Sequence, residues 1–138
     1  MIEFSLHRQL HEDCHLIGDL ELSRVLLLND CRYPWVVLVP RQSAITEVYQ
    51  LTQADQHLLL DESCRVGRLL MQTFGGDKLN LGALGNLVPQ LHVHLVVRRL
   101  DDPAWPGPVW GHSPAVPYPA PSAAQRVQLL RVGLGLPV

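Results

Sequence analysis

Polar and apolar residues alternate strictly through Gln90-Leu91-His92-Val93-His94-Leu95. A period of two is the signal of a half-buried strand, and it constrains this chain more than any other feature. On a strand, Gln90, His92 and His94 share one face, while Leu91, Val93 and Leu95 share the other. Two imidazoles and an amide then stand in a row, about 6–7 Å apart, on rigid backbone. Just upstream, the loop Gly85-Asn86-Leu87-Val88 leads directly into that row. Backbone N–H groups in such a loop can hold an anion, and an imidazole can attack one. The combination suits a site that takes hold of a phosphate.

Other segments supply partners for this strand. Leu16–Leu20 and Leu22–Leu28 read as two strands joined tightly around Asp19 to Ser23. Asn29 to Pro34 is a turn, since Asn, Asp and Pro punctuate chains. Trp35–Val39 is an apolar strand stopped by Pro40, and Lys78–Ala83 is another strand. The first fifteen residues suggest a short helix or turn. Thr52 caps a long helix with Asp55 in its first turn. Leu59, Val66 and Leu70 form one face of that helix, and Gly75-Gly76 ends it. Ser122-Ala123-Ala124-Gln125 has the pattern of a capping box opening a short C-terminal helix, with Val127, Leu130 and Leu134 on its apolar side. The expected fold is α+β: an antiparallel sheet of about five strands, one long helix and one short C-terminal helix.

The 138 residues suffice for one domain. A core of about 15–99 is followed by an extension, 100–138, of different composition. Seven prolines lie between 103 and 121, with Trp105 and Trp110 among them. That segment cannot be regular helix or central strand, and is expected to clasp the body beside the phosphate site, or to clasp a second subunit. A net charge of −2 argues against a nucleic-acid partner held by bulk electrostatics. No apolar run approaches a membrane span. Cys14, Cys31 and Cys64 form an odd set without a Cys-x-x-Cys pair, which suggests free thiols and a cytoplasmic location.

Gln90-Leu91-His92-Val93-His94-Leu95-Val96-Val97 resembles the motif of the histidine triad (HIT) superfamily, His-φ-His-φ-His-φ-φ, with Gln in the first position. Gly85-Asn86-Leu87-Val88 resembles the Gly-Gln-Ser/Thr-Val that precedes it. Asn29-Asp30 followed by Trp35 to Pro40 resembles the family's polar turn and Gly-His-φ-φ-φ-φ-Pro strand. The resemblance covers roughly residues 15–99. It implies a hydrolase or nucleotidyl transferase that cleaves at the α-phosphate of a nucleoside phosphate or dinucleoside polyphosphate. His92 is then the nucleophile, with the Gln90 carbonyl as its orienting acceptor, and His94 donates to a phosphate oxygen. Asp30 holds the ribose hydroxyls, Leu28 lines the base pocket, and Gly85, Asn86 and Leu87 hold the phosphate. The resemblance also implies a homodimer with joined sheets. No cofactor is required, and a divalent cation could arrive with the substrate.

This sequence departs from the pattern in three places. Gln90 cannot titrate. Trp35 stands where the Gly-His histidine would be. Leu87 lacks the hydroxyl of Ser or Thr. A nucleotide-binding or regulatory protein with little catalysis is therefore the alternative. The third reading is a small metalloprotein built on His92 and His94, although Gln90 is a poor third ligand. Arg98 and Arg99, at a strand end, are expected to be solvated, with contact of one of them to a distal phosphate as the alternative, and His112 is a remote candidate for the site.

Overall fold

The computed structural model describes residues 3–138. The order of elements is α1 (Arg8–Asp13), β1 (Cys14–Asp19), β2 (Ser23–Leu28), β3 (Trp35–Pro40), α2 (Gln53–Phe74), β4 (Lys78–Gly82), β5 (Val93–Arg98) and α3 (Ala120–Leu134). The strands form one antiparallel sheet in the order β1-β2-β3-β5-β4. The fold is α+β, as the alternating patterns predict. β5 is an interior strand, paired with β3 on one side and with the edge strand β4 on the other.

The period-two pattern sorts residues onto two faces. Val25, Leu27, Val36, Leu38, Leu95 and Val97 face α2 and α3. There they meet Leu59, Val66 and Leu70 of α2 and Val127, Leu130 and Leu134 of α3, all buried. Leu26, Trp35, Val37, Val39 and Val96 face the opposite way and are covered by Leu10 of α1 and by Ala104 and Val109 of the segment beyond β5. Burying any one of these large aliphatic side chains contributes about 1.5–3 kcal/mol, so both faces need a cover. The proline-rich segment and α1 together cover the second face.

Local chemistry sets the helix ends. The Thr52 side chain accepts the Asp55 N–H at 3.1 Å, and Gly75 closes α2 in the left-handed region at φ 65°. α3 differs from expectation. It starts two residues before Ser122, with Pro119 as its cap residue and no side-chain cap bond. Pro121 in the first turn explains this: its fixed φ suits a helix start, and the N–H it lacks has no helical partner there. The capping box read at Ser122–Gln125 is therefore inside the helix.

One tie escaped the sequence reading. Glu62, on the buried side of α2, accepts the Leu22 and Ser23 N–H groups at 2.9 and 3.0 Å. It is 5% exposed and pins the β1–β2 connection to the long helix.

Candidate functional site

β5 begins only at Val93, so Gln90, Leu91 and His92 precede it as irregular chain. The alternation nevertheless carries across the junction. His92 and His94 lie on the face away from α2 and α3, with ring centroids 4.9 Å apart. They are 7% and 8% exposed. Both line a cleft of about 440 Å³. The Gly85 loop forms one side of it, α1 contributes Leu10 and Asp13, and the 109–115 stretch closes the far side.

The two imidazoles have different partners. His92 Nδ1 lies 2.7 Å from the Gln90 carbonyl oxygen. A carbonyl only accepts, so Nδ1 carries a proton, and in the neutral ring the Nε2 lone pair is free. His94 Nδ1 is 3.0 Å from Trp35 Nε1. Burial, reinforced by the neighbouring His92, lowers the His94 pKa from the ordinary histidine value to about 3. His94 is therefore neutral at physiological pH.

The Gln90 side chain does not join the row of imidazoles. Its Oε1 accepts the His7 N–H at 2.8 Å, and its Nε2 donates to the Ser5 carbonyl at 2.9 Å. The amide clasps the N-terminal segment, while the backbone of the same residue orients His92. The expected in-line row of three side chains is thus a pair. The physical reason is that Gln90 lies before the ladder, where its amide finds two unpaired backbone groups.

Asp30 and Leu28 both line the cleft. Asp30 is 2% exposed, and Arg32 grips it. Its Oδ1 accepts Arg32 N and Nε at 3.1 and 3.0 Å, and its Oδ2 accepts Nη2 at 2.9 Å. A carboxylate has about four acceptor positions, so one remains open. Gly85, Asn86 and Leu87 line the cleft too. Gly85 takes φ 73°, which an L side chain rarely adopts; Asn86 does not share that region. Leu87 is 95% exposed.

Trp110, in the segment expected to pack over the body, walls the site. Its ring meets His94 edge-on at 5.5 Å and Trp35 at 6.2 Å. Arg32 extends to the same segment, donating to Ser113 Oγ at 2.6 Å and to the Pro114 carbonyl at 2.9 Å. His112 lies outside the cleft lining, exposed, with Nδ1 against Ser113 Oγ.

The model of the HIT domain matches residues 9–101 of the chain. The chain belongs to the HIT domain family. Three solved histidine triad proteins resemble it over nearly its whole length. The one from Marinobacter aquaeolei VT8 is 50% identical, covers 96% of this chain and 97% of its own, and superposes with a TM-score of 0.94. Those from Bradyrhizobium japonicum and Sinorhizobium meliloti 1021 are 45% and 43% identical. Their coverage is 96% of this chain and 98% of that one for the first, and 94% and 96% for the second, with TM-scores of 0.93 and 0.92. No curated protein matches the chain. These likenesses cover more of the chain than the HIT match at residues 9–101.

Arg98 corrects another expectation. It is not solvated but 1% exposed. Its Nε and Nη2 donate to Asp102 at 2.7 and 3.0 Å, and Nη1 donates to Asn80 Oδ1 at 2.9 Å. Its guanidinium also lies over the Tyr33 and Trp105 rings. Burial alone would raise the Asp102 pKa, but Arg98 and the Arg99 and Trp105 N–H groups hold it below the usual value. This knot fixes the chain as it leaves β5 and turns over the site. Arg99 is exposed, paired with Asp101.

Among the described residues, no group of three or more His, Cys, Asp or Glu side chains is placed to hold a metal. No helix among them is long and apolar enough to cross a membrane. All three cysteines are unpaired.

Proposed function

We propose that the cleft binds a nucleoside phosphate or dinucleoside polyphosphate and cleaves it at the α-phosphate, through a nucleotidyl intermediate on His92. The observation that carries this reading is the 2.7 Å contact between His92 Nδ1 and the Gln90 carbonyl. It holds a proton on Nδ1 and leaves Nε2 as a nucleophile inside a cleft. Nε2 attacks phosphorus, the N–P bond forms, and the P–O bond to the leaving group breaks. Water then attacks phosphorus, the N–P bond breaks, and its electron pair returns to Nε2. The proton of that water passes to solvent.

His94 presents a neutral N–H to a non-bridging phosphate oxygen, where negative charge develops. The N–H groups of Asn86 and Leu87 are available to the same phosphate, with Gly85 permitting the loop. The remaining acceptor position of Asp30 suits a ribose hydroxyl, and Leu28 with Leu10 offers an apolar wall to the base. None of the described residues lining the cleft is Lys or Arg. Charge on distal phosphates therefore needs solvent or a divalent cation carried with the substrate. Edge strand β4 and its following loop expose Leu81 and Leu84 at 56% and 45%, which supports a homodimer joined along that edge. The free thiols fit a reducing cytoplasm.

A second reading is a nucleotide-binding protein with little catalysis. The observation that favours it is the poverty of proton donors: His94 stays neutral, the Gln90 amide is occupied elsewhere, and Leu87 has no hydroxyl. Rapid quenching without acid, followed by mass spectrometry, separates the two. With a dinucleoside polyphosphate, the enzyme reading expects a nucleotidyl adduct on the native protein and none on His92→Ala. Native-rate turnover by His92→Ala would defeat it.

A further inference from the structure

We propose that Trp35 is a positioning residue that fixes His94 as a neutral Nε2–H donor beside the free lone pair of His92. An indole N–H donates and has no lone pair with which to accept. With Trp35 Nε1 at 3.0 Å, His94 Nδ1 must be the accepting nitrogen. The proton of the neutral ring is then on Nε2. Adding a proton to Nδ1 would set two N–H groups head to head in a nearly dry site, with no third group to accept either.

The indole is not free to swing away. Trp35 is 7% exposed and sits on β3 opposite Val96, one diagonal step from His94, which pairs with Val37. Tyr33 meets its ring edge-on at 6.1 Å and Trp110 at 6.2 Å. The surroundings of His94 offer few charges. His92 is the titratable neighbour on its own segment. Across the cleft are Asp13 and Asp30, the latter gripped by Arg32. Trp35 from β3, Trp110 from the covering segment and Gly82, paired opposite on β4, carry no titratable group.

The two adjacent imidazoles are thus sorted by partners of opposite polarity. An acceptor-only carbonyl makes His92 the Nδ1–H tautomer, and a donor-only indole makes His94 the Nε2–H tautomer. A histidine at position 35 could accept as well as donate, and would leave the His94 proton undecided. The use of the donor on phosphate rests on the function proposed above; the tautomer does not.

The test is long-range 1H–15N NMR of the histidine rings in the full chain, without substrate, from pH 5 to 8. The native protein should show His94 as pure Nε2–H with no titration in that range. In Trp35→Phe, the Nδ1 resonance should move toward that of a lone pair without a hydrogen bond. In Trp35→His, where the partner can accept, His94 should titrate within the range or gain Nδ1–H population. A native His94 that carries its proton on Nδ1, or titrates near its ordinary value, overturns the proposal. So does an unchanged Nδ1 resonance in Trp35→Phe, or an unchanged His94 in a folded Trp35→His. Turnover is a separate readout: the expected spectrum together with no nucleotide cleavage refutes the reaction and leaves the tautomer assignment standing.

Discussion

Gln90→Ala separates the two parts that residue 90 plays. The substitution deletes two hydrogen bonds, to His7 N at 2.8 Å and from Gln90 Nε2 to the Ser5 carbonyl at 2.9 Å. Each net bond is worth about 0.5–1.5 kcal/mol, and both are solvent-accessible, so their sum is about 1–2 kcal/mol. The backbone carbonyl that orients His92 is untouched. Leu10 remains buried among Leu26, Tyr33 and Trp35, which by itself holds α1 with about 1.5–3 kcal/mol. The loss is therefore local, a loosening of residues 5–7. Amide exchange at His7 should quicken by about tenfold, since about 1.4 kcal/mol is a factor of ten. Turnover of a nucleoside polyphosphate should keep its kcat within about tenfold. KM should rise more than kcat falls, because the clasped segment leads into the wall that carries Leu10 and Asp13. Native-state hydrogen exchange and steady-state kinetics check these outcomes. Unchanged protection at His7 would show that the clasp carries no energy. A loss of kcat as deep as that of His92→Ala would show that the amide takes part in the chemistry.

Asp102→Ala should destabilise the fold by about 3–5 kcal/mol, because it leaves the Arg98 guanidinium buried without its counter-charge. The Asp102 pKa is depressed in the folded chain, so the pair's contribution is full above about pH 4 and is lost as pH falls through the folded value; chemical denaturation at pH 7 and below pH 4 reads both effects. The three thiols should divide two to one. Burial, aided by Asp13, pushes the Cys14 pKa up to about 12, whereas Cys31 and Cys64 are exposed. At pH 8 only about one Cys14 in ten thousand is thiolate. A disulfide reagent should therefore titrate two equivalents rapidly and the third only in denaturant; three fast equivalents would contradict the Cys14 environment.

The sequence by itself determined whatever depends on local periodicity. Alternation is a property of extended backbone, so the shared face of His92 and His94, and the opposite face of Leu91, Val93 and Leu95, were legible without any partner strand. The same holds for Thr52 and Gly75 at the ends of α2, where the cap is a contact with residues a few positions away. The HIT motif then placed Asp30, Leu28 and the Gly85 loop, and all of them line one cleft. Tertiary structure decided the partners. Trp35 and His94 are 59 residues apart, and Gln90 and His7 are 83 apart. Nothing in the local pattern of either partner announces the other. Arg98 reads as a solvated residue because a charged side chain at a strand end usually reaches water; it is buried because Asn80, Tyr33 and the Asp102–Trp105 turn converge on it from three segments. A side chain's face follows from its own backbone, but the proton it keeps and the solvent it loses depend on what the rest of the chain brings against it.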